Sequence, residues 1–138
     1  MSQTSKSNTQ SPVLEARGFN KTLGGRHILH DVSLSVNRGE MKVLIGPSGA
    51  GKSTFLQCIN YLIIPDSGEL VLNGQVVTPS KKQELYALRE KVGMIFQDFN
   101  LFDHLTALEN VSIALTKVKK LSRRDASLRA MMELERVG

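Results

Sequence analysis

The chain has 138 residues, 41% of them hydrophobic and 22% charged, with a net charge of +5. That is long enough for one domain with a buried core, and no apolar run approaches the roughly 20 residues needed to span a bilayer. The charge could suit nucleic acid, but aromatics are only 5% and interleave with no basic patch, so no nucleic-acid partner is expected. It is equally compatible with a subunit working beside an anionic membrane surface, and does not by itself decide the partner. The N-terminus lacks the apolar centre of a secretory signal, and the single Cys58 permits no internal disulfide, which suits a reducing compartment.

Residues 1–12 are rich in Ser, Thr and Gln and almost devoid of apolar side chains, and are expected to form a disordered tail. Val13–Leu23 and Ile28–Val36 read as two strands around a turn at Gly24-Gly25. In the second, Val32, Leu34 and Val36 alternate with Ser33 and Ser35, the period-two pattern of a half-buried strand. Arg38-Gly39 turns the chain into a short apolar run, Val43-Leu44-Ile45, which reads as a buried strand.

That run feeds the stretch GPSGAGKST, Gly46, Pro47, Ser48, Gly49, Ala50, Gly51, Lys52, Ser53 and Thr54. Gly46, four free positions and then Gly51-Lys52-Ser53 make the G-x-x-x-x-G-K-[ST] pattern of a phosphate-binding loop. Chance alone produces it on the order of once in two hundred chains of this length. Gly46, Gly49 and Gly51 are expected to take backbone angles that let successive N–H groups curl round an anion. The following helix adds its positive N-terminal dipole, Lys52 is placed to reach the β- and γ-phosphates, and the Ser53 hydroxyl to ligate Mg2+.

Phe55, Leu56, Ile59, Leu62 and Ile63 lay an apolar stripe along that helix, which Pro65 is expected to stop. Cys58 lies on it and reads as packing rather than reactivity. Asp66-Ser67-Gly68 is a turn, and Leu70–Leu72 with Val76-Val77 reads as a hairpin around Asn73-Gly74. Lys81–Val92 predicts an amphipathic helix with Leu85, Leu88 and Val92 on one face, and Met94-Ile95-Phe96 a second buried strand ending at Gln97. Thr106-Ala107-Leu108-Glu109 is a capping box, with Leu108, Val111, Leu115 and Val118 continuing one face. Ser122–Asp125 caps a last helix to Val137. The basic run Lys117, Lys119, Lys120, Arg123 and Arg124 reads as a solvated connector.

The order of these motifs resembles an ABC-transporter ATPase subunit. The resemblance is carried by Ile28–Leu34 (ILHDVSL), Gly39-Glu40, Gly46–Thr54, Asp66-Ser67-Gly68, Val92–Phe102 (VGMIFQDFNLF) and His104–Val111. The last stretch is most similar to the polar-amino-acid importer class. The resemblance implies an α/β P-loop NTPase fold of the ABC type: an N-terminal antiparallel β-subdomain, a P-loop core to about residue 97, and the start of a helical subdomain over 98–138. It implies ATP and Mg2+ as ligands and Gln97 as the Q-loop glutamine, its amide holding metal and water. It also implies integral-membrane permease subunits, a second ATPase subunit, a solute-binding protein met indirectly, and a place on the inner face of the plasma membrane.

Two departures stand out. The family stacks adenine on an aromatic side chain at the position matching Leu23, where leucine offers no π-face; Phe19 is the nearest aromatic upstream. The family's signature motif, Walker B aspartate with its catalytic glutamate, and switch histidine match nothing in these 138 residues. The expectation is therefore a nucleotide-binding chain that does not turn over ATP alone, with the apolar faces around Val43–Ile45 and Met94–Phe96 left uncovered. Other readings are a piece of a soluble ABC ATPase of DNA repair or translation, or a non-functional product of an interrupted gene; a small nucleotide kinase is disfavoured because no lid for a substrate phosphate follows the loop.

Overall fold

The computed structural model describes residues 11–98 and 100–138, so all but the last two residues of the expected tail, 1–12, lie outside the described residues. Chain contacts divide the protein into two compact units, Met1–Gly93 and Met94–Gly138.

The first unit is built on an antiparallel sheet of four strands: β1 (Leu14–Leu23), β2 (Arg26–Val36), β3 (Ser67–Leu72) and β4 (Gln75–Val77), in spatial order β2-β1-β3-β4. Both expected hairpin turns form, for one physical reason. Gly24 and Gly25 have φ of 57° and 77°, and Asn73 and Gly74 have 49° and 78°. Two consecutive left-handed residues give the turn whose twist matches the strands it joins, which only Gly and Asn adopt readily. The alternation in β2 holds as well, with Val32, Leu34 and Val36 half-buried and Ser33 and Ser35 exposed.

Two helices complete this unit, α1 (Lys52–Ile59) and α2 (Lys82–Lys91). The core brings together Ala16, Phe19, Leu29 and Leu70 from the strands, Phe55, Cys58 and Ile59 from α1, and Leu88 from α2. Phe19 and Phe55 meet edge to face, with ring centroids 5.9 Å apart, a contact worth about 0.5–1.5 kcal/mol beyond the area it buries. Leu88 is buried, and Leu85 and Val92 pack against the core as expected. Cys58 is buried in the same cluster, and burial raises its thiol pKa.

The first apolar helix is shorter than its stripe suggests. It ends at Ile59, six residues before Pro65, with Phe55, Cys58 and Ile59 buried but Leu56 and Leu62 exposed. Tyr61 turns into the left-handed region at φ 47° and donates its hydroxyl to the Val77 carbonyl at 3.1 Å. Arg89 from α2 then donates to the carbonyls of Asn60 (3.3 Å) and Tyr61 (2.9 Å), placing a cation at the negative end of α1. Tertiary anchors, not proline, set the boundary.

Neither expected buried strand forms. Residues 41–47 and 94–96 join no ladder; Ile45 is 91% exposed and Ile95 96%. An apolar run becomes a core strand only when neighbours take up its N–H and C=O groups and cover both faces. No strand among the described residues pairs with either run. Leu44 alone of the first run packs toward the core, and Met41, Val43 and Ile45 face outward, uncovered as expected.

In the second unit α3 (Ala107–Lys117) and α4 (Arg123–Val137) pack together. The capping box forms at Thr106 and Glu109: the Glu109 N–H donates to Thr106 Oγ1 at 3.3 Å, and the Thr106 N–H donates to Glu109 Oε2 at 2.8 Å. Ser122 caps α4, accepting from the Asp125 N–H at 3.1 Å. Asn110 pins the approach to α3, accepting from the Phe102 N–H at 2.9 Å and donating to the carbonyls of Phe102, Leu105 and Thr106 at 3.1 Å each. The covered face of α3 differs from the expected one: Ser112, Ile113 and Thr116 are half-buried beside Leu108 and Leu115, while Val111 and Val118 are exposed. Ala126 and Ala130 are the fully buried residues of α4, and their small side chains let the two helices approach closely. The basic residues between and at the start of these helices are all exposed.

Gly68, with φ 102°, lies where a Cβ would come within 2.5 Å of the Gly18 carbonyl oxygen and 2.6 Å of that of Arg17. Gly68→Ala should lower stability by about 2–4 kcal/mol in a thermal melt. Asp66 accepts from Lys21 Nζ at 2.6 Å and from the Thr22 N–H at 2.7 Å, and these two, the lysine first, hold its carboxyl below the ordinary value of 3.8. A lowered folded-state pKa stabilises the fold above the ordinary value, and that contribution is lost as pH falls below about 4. Asp66→Asn should therefore flatten the acid limb of the melting-temperature profile and leave its slope above pH 6 unchanged.

Candidate nucleotide-binding site

The glycine-rich loop hangs between the extended run at 41–47 and the N-terminus of α1. Two of its three expected special backbone positions are real: Gly49 has φ 78° and Gly51 φ 87°. Gly46 is a correction, since its φ lies outside the left-handed region and an added Cβ would touch only Ala50 Cβ at 3.5 Å and Lys52 Cδ at 4.0 Å. Gly51 is the constrained one. A Cβ there would stand 3.0 Å from Ile28 Cγ2, 3.1 Å from the Ile28 carbonyl oxygen and 3.2 Å from Leu29 Cδ2. The missing side chain is what lets the start of α1 seat against β2.

Gly51 caps α1 with no side-chain hydrogen bond, and no acidic residue occupies the first turn. The first N–H groups of the helix are thus met by no capping side chain, and no carboxylate opposes the positive end of the dipole. Lys52 folds back over the loop, its Nζ donating to the carbonyls of Gly46 and Pro47 at 2.7 Å each. These acceptors are neutral, and no carboxylate pairs with this ammonium among the described residues. A positive charge held by two carbonyls beside a helix N-terminus without a capping side chain is poised for an anion.

A cleft of about 390 Å³ opens here, lined by Arg26, Ile28 and residues 48–54, with the Ser53 side chain on the exposed side. The structure thereby brings together Ser48, Gly49, Ala50, Gly51, Lys52, Ser53 and Thr54. Gly46 and Pro47 meet the site through their carbonyls on Lys52. Gln97 belongs to the second unit, where it is exposed on a turn. Arg26 was not anticipated. It lies two residues before Ile28 on β2, where the pairing with β1 slips by one residue, so strand period alone does not place it in the cleft. Leu23, paired with Arg26 across the hairpin, is 39% exposed at the end of β1 and does not line the cleft. Phe19 is fully buried against Phe55 and offers a base no face.

A lysine and a serine at the start of a helix, behind a glycine loop with this backbone, define the P-loop ATPase fold. Comparison with known proteins narrows the class. Residues 29–137 match the ABC transporter family. The chain is 44% identical over 119 residues to the glutamine transport ATP-binding protein GlnQ of Geobacillus stearothermophilus, covering 86% of this chain and 49% of that protein. It is 47% identical over 125 residues to the glutamate/glutamine/aspartate/asparagine transport ATP-binding protein BztD of Rhodobacter capsulatus, covering 91% of this chain and 47% of that one. Among solved structures it resembles the dimeric post-hydrolysis ATP-binding cassette MJ0796 bound to ADP and Pi, at TM-score 0.75 and 33% identity, over 88% of this chain and 56% of that chain. The chain belongs to the ABC transporter family and has the α/β fold of its ATPase cassettes. It spans about half the length of the curated relatives it matches.

The glycines separate cleanly in a test. Gly51→Ala should destabilise by about 1–3 kcal/mol in a chemical melt, because both its φ and its contact with Ile28 must give. Gly46→Ala, free of both, should stay within about 0.5 kcal/mol of wild type.

Proposed function

We propose that the chain binds Mg-ATP through residues 46–54 and is the nucleotide-binding part of an ATP-driven importer for polar amino acids. The single observation that carries the binding reading is the uncompensated Lys52 ammonium at the mouth of a loop whose helix N-terminus has no capping side chain. The names of the relatives, which transport glutamine, glutamate and related amino acids, support the importer reading.

In this reading the backbone N–H groups of residues 48–53 cradle the β-phosphate, and Lys52 leaves its carbonyls to meet the β- and γ-phosphates. The Ser53 hydroxyl, exposed beside the cleft, is a hard oxygen donor of the kind a divalent cation takes. Mg2+ would offset phosphate charge there with Ser53 as a ligand, and the family resemblance adds the Gln97 amide carbonyl as a second. The P-loop core ends at the contact boundary after Gly93, a few residues before the expected 97, and the residues beyond it open a helical subdomain. The partners are integral-membrane permease subunits and a second copy of the ATPase subunit, with a solute-binding protein engaged indirectly. No helix among the described residues is long and apolar enough to cross a membrane, which fits a peripheral subunit on the cytoplasmic face.

These 138 residues hold nucleotide without turning it over. Attack on the γ-phosphate needs an oriented water and donors that offset transition-state charge, and no glutamate base or opposing signature segment is recognisable in them. Calorimetric titration tests the reading. Mg-ATP should bind the wild-type chain, and Lys52→Ala should weaken it by about 2–3 kcal/mol while leaving the unliganded chain folded. Equal affinity in the two would sink the phosphate assignment. Steady-state ATP hydrolysis by the purified chain, abolished in Lys52→Ala, would refute the claim that turnover needs more than these residues.

A further inference from the structure

We infer that Arg26 is a nucleotide-contacting residue whose guanidinium meets the base and ribose end of the ligand, not its terminal phosphates. The inference rests on the P-loop reading above and adds to it a residue that determines affinity for the nucleoside. Arg26 is the first residue of β2 and lines the same cleft as residues 48–54. Its side chain makes no ion pair or hydrogen bond among the described residues, so its donors are open to a ligand.

Position along the strand says which part of a ligand it meets. Ile28 stands against Gly51, at the level where α1 begins. Arg26 is two residues back along β2, about 7 Å at most, and lines the same cleft. A nucleotide with its terminal phosphates at Lys52 and the helix N-terminus has left the phosphate region over that distance. Among the described residues lining the cleft none is aromatic, and Arg26 is the one with a planar side chain. A guanidinium stacks on a base face and donates in its own plane to ribose hydroxyls or base acceptors, which a lysine ammonium does only as a point charge. Base stacking on a protein side chain is worth about 1–3 kcal/mol by alanine substitution, or a factor of about 5–150 in affinity.

The test titrates the wild-type chain, Arg26→Ala and Arg26→Lys with Mg-ATP and, separately, with Mg-tripolyphosphate, which has phosphates and no nucleoside. In Arg26→Ala the ATP affinity should fall about fivefold or more while tripolyphosphate affinity holds, and Arg26→Lys should recover little of the loss. The ratio of the two affinities within one variant is independent of the fraction folded, so a destabilised variant still gives an answer. Equal losses for both probes, full recovery with lysine, or no loss for ATP would overturn the inference. A wild-type chain that binds neither probe would instead bring down the P-loop reading beneath it, and the two failures are thereby told apart.

Discussion

The site depends on one close approach, that of Gly51 to β2. With no side chain at this position, the backbone at the start of α1 rests on Ile28 and Leu29, and the helix begins where the loop ends. Everything the loop offers an anion follows from that contact. It fixes the direction of the first helical N–H groups, puts Lys52 within reach of the Gly46 and Pro47 carbonyls, and brings β2 with Arg26 and Ile28 to the other wall of the cleft. The sheet supports it from below: Phe55, one turn into α1, packs on Phe19 of the inner strand β1. Arg89 from α2 holds the opposite end of the helix. An eight-residue helix is too short to be stable alone, so its placement comes from these contacts at both ends.

Charge at the site is arranged by omission. Elsewhere several carboxylates have partners: Asp66 has Lys21, Glu84 has Lys81, Glu69 has Arg17, and Glu109 closes its own capping box. Around the loop no carboxylate approaches Lys52, and Arg26 stands without an ion pair among the described residues. An uncompensated Lys52 ammonium on one wall suits the phosphates of an anionic ligand, and an unpaired guanidinium on the other is free for its nucleoside end.

Much of this was legible in the sequence because the relevant signals are local. Both turns with consecutive left-handed residues, the alternation in β2, the capping box at Thr106 and the amphipathic α2 are set by residues within a few positions of each other. The glycine loop was legible for the same reason. What could not be read is what depends on distant partners. Val43–Ile45 and Met94–Phe96 have the composition of core strands, but a ladder needs neighbouring strands that no property of the run itself reports. Helix α1 stops because Tyr61 reaches Val77 and Arg89 reaches back from α2, neither of which leaves a trace near Ile59. The covered face of α3 is chosen by the alanines of α4. Gly46 and Gly51 look alike in the motif, and only the approach of Ile28 distinguishes them. Arg26 joins the site through the hairpin register rather than through any motif.

The most direct test of the central claim is a structure of the chain with Mg2+ and a non-hydrolysable ATP analogue. The account predicts that Lys52 Nζ leaves the Gly46 and Pro47 carbonyls for the β- and γ-phosphate oxygens, with the first N–H groups of α1 on the same phosphates. An analogue bound elsewhere, with Lys52 still folded onto its two carbonyls, would contradict it.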